Sequence, residues 1–265
     1  MDLVKQAYAS SSESENEQEE QSSGAETLPP IPSAVLDKFN IAPSVRNDSM
    51  KTSSFRHWVT FAYIEWRLAQ KERASLDRLL SKCNSTIQKH TSQEVRFTPT
   101  YWSDLGSPRP LHISLCTNIV FKQAETRETF FKNVETAVEQ SDSKPFKVIV
   151  FPRPRVIRSL TNSGHFFLTL PIDTCDTETS IAQLIRIIRD SHRDLDATVN
   201  FPFDESAIHV SIGSLNASPE SVNTAALNEA LASHLTPEIP DFSFKATNIK
   251  MDRNRETLSV RFPEV

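Results

Sequence analysis

Four of the seven histidines in the chain stand two residues before a serine or threonine: His90, His112, His209 and His234. Two of these triplets sit in polar or helix-closing surroundings, His90-Thr91-Ser92 and His234-Leu235-Thr236. The other two lie inside apolar runs, Leu111-His112-Ile113-Ser114-Leu115 and Ile208-His209-Val210-Ser211-Ile212. With 38% hydrophobic residues in the chain, that five-residue pattern is expected at roughly one histidine in a hundred. In a strand, residues i and i+2 face the same side, so each run presents an imidazole and a hydroxyl together. Imidazole is the side chain whose ordinary pKa suits both proton removal and proton donation near neutral pH. Two imidazoles flanking a phosphodiester can act as general base and general acid, while the hydroxyls hold the non-bridging oxygens as charge builds. The competing reading is two buried histidines, each bonded to a neighbour.

The elements that must carry these motifs follow from periodicity. Trp58 to Ile64 reads as a strand, followed by a helical stripe of Leu76, Leu79, Leu80, Cys83 and Ile87. The first histidine strand comes next, then a stripe of Phe130, Phe131, Val134, Ala137 and Val138, then strands over 146–151 and 155–160. The order restarts with a strand from His165 to Leu170 and a helix carrying Ile181, Leu184, Ile185 and Ile188. The second histidine strand follows, then a helix with Ser218 as expected N-cap and Pro219 at its first position. Strands over 242–249 and 257–262 close the chain. Two halves of like order predict an α+β duplication, with lobes of roughly 57–160 and 165–265 and a cleft between them.

Composition narrows the chemistry. Only four glycines occur, no two of them close, so no Gly-rich loop can cradle a phosphate. Three well-separated cysteines form no metal or disulfide pattern, and no G-x-S-x-G or H-E-x-x-H motif is present. No apolar run reaches the roughly 20 residues of a membrane helix. Residues 1–33 hold seven acids and one base, a net −6 that leaves +1 of the chain's −5 for the rest. That Ser/Glu/Gln-rich leader is expected to be disordered, and 34–56 to be an irregular lead-in. Tyr101 and Trp102 precede the first motif as Phe201 and Phe203 precede the second; these aromatics are open to two readings, rings exposed to stack on bases or ordinary core filling. Arg153, Arg155 and Arg158, and Lys245, Lys250, Arg253 and Arg255, are open to two readings, phosphate contacts or solvated edges.

Two H-x-[Ser/Thr] strands, one per half of an α+β domain, resemble the 2H phosphoesterase superfamily. The order Trp58-Val59-Thr60, the His112 motif, Phe203 and the His209 motif resembles its U6 snRNA phosphodiesterase branch over about residues 55–265. The resemblance implies a bilobal fold with two pseudo-symmetric lobes of antiparallel sheet plus helices around a central cleft. It implies a metal-independent 3′–5′ RNA exonuclease that trims the oligouridine end of U6 RNA in the nucleus and leaves a 2′,3′-cyclic phosphate, which some members of the family open further. Catalysis would fall on His112 and His209, phosphate contacts on Ser114 and Ser211, and base stacking on Phe203. No metal, cofactor, membrane or DNA is expected, and a monomer is. Two departures stand out: Phe203 where the branch often has tyrosine, and Gly213-Ser214 where it often has Ala-Trp. Two other activities stay open, a phosphodiesterase that only opens 2′,3′-cyclic ends and an inactive RNA-binding module.

Overall fold

The computed structural model describes residues 58–172, 178–199, 208–236, 239–253 and 256–263. The leader, the lead-in and Phe203 lie outside the described residues. Thirteen strands and four α-helices are described. In the first half come β1 (Trp58–Thr60), β2 (Ala62–Trp66), α1 (Gln70–His90), β3 (Thr98–Pro99), β4 (Leu111–Ser114), β5 (Ile119–Phe121), α2 (Ala124–Gln140), β6 (Phe146–Val150) and β7 (Arg155–Arg158). The second half adds β8 (His165–Pro171), α3 (Glu178–His192), β9 (Ala197–Val199), β10 (His209–Asn216), α4 (Thr224–His234), β11 (Phe242–Ala246), β12 (Asn248–Arg253) and β13 (Glu256–Arg261).

The main sheet runs β13-β12-β2-β4-β10-β8-β7, with β3 paired to β10, and every pairing in it is antiparallel. Two small sheets, β1-β5-β9 and β11-β6, complete the fold. The α+β class and antiparallel sheets are those expected. The two histidine strands, β4 and β10, lie side by side at the centre, and β2–α1–β4 matches β8–α3–β10 about that centre. The lobe boundary expected near 160 does not divide the sheet, however. Strand β7 of the first half joins β8 of the second, while β12 and β13 of the second half join β2 of the first. The two halves are interleaved because each one's late strand finds its hydrogen-bonding edge on the other half.

Local chemistry explains the elements. Leu76, Leu79, Leu80, Cys83 and Ile87 recur at helical spacing and are all buried, and Glu72 in the first turn accepts the Ala69 N–H. Helix α1 presses so closely on β10 that a Cβ on Gly213 would stand 3.1 Å from Leu80 Cδ1 and 3.2 Å from Phe97 Cβ. A larger residue there would make Leu80 or Phe97 give way by a few tenths of an ångström, while the backbone of Gly213 is ordinary. The single strand expected over 58–64 breaks at Phe61. Val59 pairs with Val120 in β5, whereas Ala62 pairs with Met251 in β12. The run expected over 242–249 splits the same way, β11 pairing with β6 and β12 with β2 and β13. Ser218 and Pro219 open a short 3₁₀ turn, Pro219–Ser221. The cap of α4 is Asn223, whose side chain accepts the Ala226 N–H at 3.1 Å.

Candidate active site

Strand alternation sends Leu111 and Ile113 of β4, and Val210 and Ile212 of β10, into the core. His112, Ser114, His209 and Ser211 take the opposite face and are half-buried. Val210 stands opposite Ile113. The antiparallel register therefore sets His209 opposite Ser114 and Ser211 opposite His112, all four on one face. The histidines are diagonal cross-strand neighbours, a relation that places backbones about 7–8 Å apart. The serines occupy the other diagonal. Thr100 fixes the β10 backbone from beside: its N–H donates to the Ile212 carbonyl at 3.1 Å, and its hydroxyl to the Ser211 carbonyl at 2.7 Å.

The same face carries further residues in two rows across the sheet. One row reads Lys250, Tyr63, Ser114, His209, Pro171; the other reads Glu65, His112, Ser211, Thr169, Arg155. Tyr63 and Phe61 are stacked, with centroids 5.2 Å apart, and both stand edgewise to the His112 ring at 5.7 and 5.5 Å. Glu65 and Lys250 form an ion pair, the side chains only 6% and 5% exposed. Arg67 Nε reaches the same carboxylate at 3.3 Å. Burial, and then the neighbouring His209 charge, push the His112 pKa down to about 4, so its imidazole is neutral at pH 7.

The aromatic pair expected near the first motif is not brought to the histidines. Tyr101 has no exposed surface. Its hydroxyl donates to Asp77 Oδ1 of α1 at 3.0 Å, and burial raises its pKa far above the ordinary phenol value. Trp102 is half-buried, donates to the same carboxylate at 3.3 Å and lies under the Arg73 guanidinium. Both rings thus serve the helix layer: the apolar body of Tyr101 fills the core, and Asp77 satisfies both polar tips. Cys116, beside the first motif, is a buried thiol. Burial pushes its thiol up to about 12, and its sulfur accepts the Ala62 N–H at 3.3 Å. Sequence reasoning missed Glu65, and it placed Lys250 with the hairpin's surface bases. The only available signal was Tyr63-Ile64-Glu65, which alternates polar-tipped and apolar side chains on a strand.

Among the described residues, no group of three His, Cys, Asp or Glu side chains is placed to hold a metal ion, and no helix is long and apolar enough to cross a membrane. The family described as HVSL, an uncharacterised conserved protein, matches residues 29–261. The chain belongs to the HVSL family. Two solved structures share the fold of this HVSL chain. Kluyveromyces marxianus Usb1 aligns at a TM-score of 0.66 and 16% identity, over 77% of this chain and 98% of that one. The same protein with uridine monophosphate aligns at 0.67 and 17%, with the same coverage. Family and fold bear out the resemblance drawn from the sequence. No curated protein matches the sequence.

Proposed function

We propose that the chain is a two-histidine phosphodiesterase that removes nucleotides from the 3′ end of RNA, U6 snRNA being its substrate in the nucleus. The register that sets His112 and His209 diagonally across β4 and β10, each with a serine opposite, carries this reading. The uridine monophosphate held by the Kluyveromyces marxianus relative is consistent with it.

The reaction follows from the face. The penultimate 2′-hydroxyl loses its proton to one imidazole and attacks the adjacent phosphorus. The P–O5′ bond breaks, and the other histidine, protonated, gives its proton to the departing 5′-oxygen. The products are a shortened RNA ending in a 2′,3′-cyclic phosphate and a released nucleoside or nucleotide. Ser114 and Ser211 donate to the non-bridging oxygens as negative charge develops. The mechanism needs exactly one proton shared between two histidines. Burial makes His112 the neutral member in the resting state. Tyr63 and Phe61 hold its ring edgewise, limiting the orientations it can take.

Incubating the full chain with an oligouridine in EDTA tests this. Stepwise shortening to cyclic-phosphate ends supports the proposal. Opening of cyclic ends without shortening would assign the narrower activity, and no reaction would overturn both. A second RNA with deoxyribose only at the penultimate position should resist cleavage, because its attacking hydroxyl is gone. Its cleavage at a comparable rate would point to water as nucleophile.

A further inference from the structure

Beyond Ser211, the catalytic face continues over β8 and β7 to the edge of the sheet. Thr169 follows Ser211 in the row, and Arg155 follows Thr169. Successive strands are about 4.8 Å apart, which puts the Arg155 backbone roughly 10 Å from that of Ser211. Arg155 is exposed and enters no ion pair among the described residues. The hydroxyl of Thr169 donates to its carbonyl at 3.0 Å, fixing the backbone from which the guanidinium projects. One step along the strands, Ile157 pairs with Phe167, and Phe167 with Ser214. Ile157, Phe167 and Ser214 are all half-buried on this same face, while their neighbours Val156, Phe166 and Leu168 fill the core. The His165 ring packs against the Phe167 ring, 4.4 Å between centroids. A cation beside an apolar aromatic floor is the pair of features that holds one nucleotide of a single strand, phosphate on the cation and base on the ring.

We propose that Arg155, Phe167 and Ile157 form a subsite for a further nucleotide of single-stranded RNA, beyond the two that flank the scissile phosphate; this rests on the two-histidine reading of the neighbouring site. Distance separates it from the chemistry: a nucleotide on Phe167 is one the reaction does not touch. The subsite makes the protein sense substrate length, rewarding RNA that extends past the dinucleotide. Its recognition is sequence-tolerant, since every base has a face that stacks.

The test uses the full chain and two oligouridylates, a dinucleotide and a hexanucleotide. Phe167→Leu keeps apolar bulk and removes the ring, and thermal melting confirms that it folds. Its kcat/KM should fall about 5- to 100-fold on the hexanucleotide and stay unchanged on the dinucleotide. Arg155→Ala should weaken hexanucleotide binding and reduce the salt dependence, log Kd against log salt, by about 0.7. Equal losses on both substrates, or none on the hexanucleotide, would overturn the subsite. Anisotropy with a hexanucleotide blocked by a penultimate deoxyribose reads binding without turnover. If both variants weaken that binding while the wild type cleaves no RNA, the subsite stands and the catalytic reading falls. Unchanged binding in both variants removes the subsite whatever the wild type cleaves.

Discussion

On the proposed mechanism His112 and His209 would act as one proton-transfer unit, so their losses should not add. Changing either to alanine should lower turnover about 10²–10⁴-fold, the range for removing a general acid or base. The double variant should lose far less than the product of the two. Ser114→Ala and Ser211→Ala should each cost on the order of 10–10³-fold, one donor to the developing charge being lost in each. Steady-state rates on a labelled RNA decide both points, and a near-normal rate in either histidine variant would dismiss the paired mechanism. The depressed pKa of His112 also bears on stability. The unfolded chain takes up that proton near 6.5, whereas the folded chain does so only at about 4. The stabilisation linked to neutral His112 is therefore fully present above about 6.5 and is lost as the pH falls through about 4. The His112 ring resonances, followed by NMR, should titrate well below those of exposed histidines. Denaturant midpoints should also drop less on acidification in His112→Gln than in the wild type.

At the level of strands and helices, the histidine motifs sit where they do because their neighbours are held by side chains as well as by ladders. The Asn228 side chain of α4 accepts the Val156 N–H at 2.6 Å and donates to the Val156 carbonyl at 2.9 Å. It thereby occupies the open edge of β7 as a neighbouring strand would. Asn228→Ala should cost about 1–3 kcal/mol in denaturant unfolding, because it leaves two buried backbone groups without that partner. On the other flank, Lys250→Met should cost on the order of 3 kcal/mol, since it leaves the buried Glu65 carboxylate with Arg67 alone. Adding Glu65→Gln should restore much of the loss, and a double-mutant cycle measures the coupling. Much of this architecture was legible in the sequence. Every long amphipathic stripe proved a helix, and both H-x-S runs proved strands, because their periodicities report burial directly. Breaks and partners were not legible. Phe61 and Thr247 interrupt runs whose propensity is continuous, since the break is set by which distant strand lies alongside. Lys250 read as a surface base because nothing within β12 announces that Glu65, 185 positions earlier, comes within ion-pair reach on β2. In the sequence Tyr101 is open to both stacking and core filling, because adjacency to a motif says nothing of which layer a side chain enters.

For the molecule as a whole, the acidic leader and the folded body should be separable. Removing residues 1–33 should leave the melting temperature and the rate of RNA cleavage nearly unchanged, because a Ser/Glu/Gln-rich segment of net −6 has the composition of a chain that lacks the apolar residues to build a core. A fall of many degrees in the truncated protein would show that the leader packs on the body. Ending the chain at Ala246 is the opposite experiment. It would strip β12 and β13 from β2, uncover the Tyr63–Glu65 face and leave Glu65 without Lys250. Such a chain should show no cooperative unfolding transition by circular dichroism.

The exchange of late strands between the halves also dictates when the protein can become itself during synthesis. The first half, on leaving the ribosome, carries β2 with one edge waiting for β12, and β7 with no partner until β8 emerges. Neither half can close its sheet alone, so a nascent chain keeps adhesive edges until its last strands are translated. The histidines can face each other once β10 has been made, yet the carboxylate beside His112 gains its lysine only when Lys250 appears. A pause in translation between β10 and β12 would hold the chain with the outer edge of β2 still open and Glu65 still without Lys250. Slow codons there should lower soluble yield relative to the unaltered message.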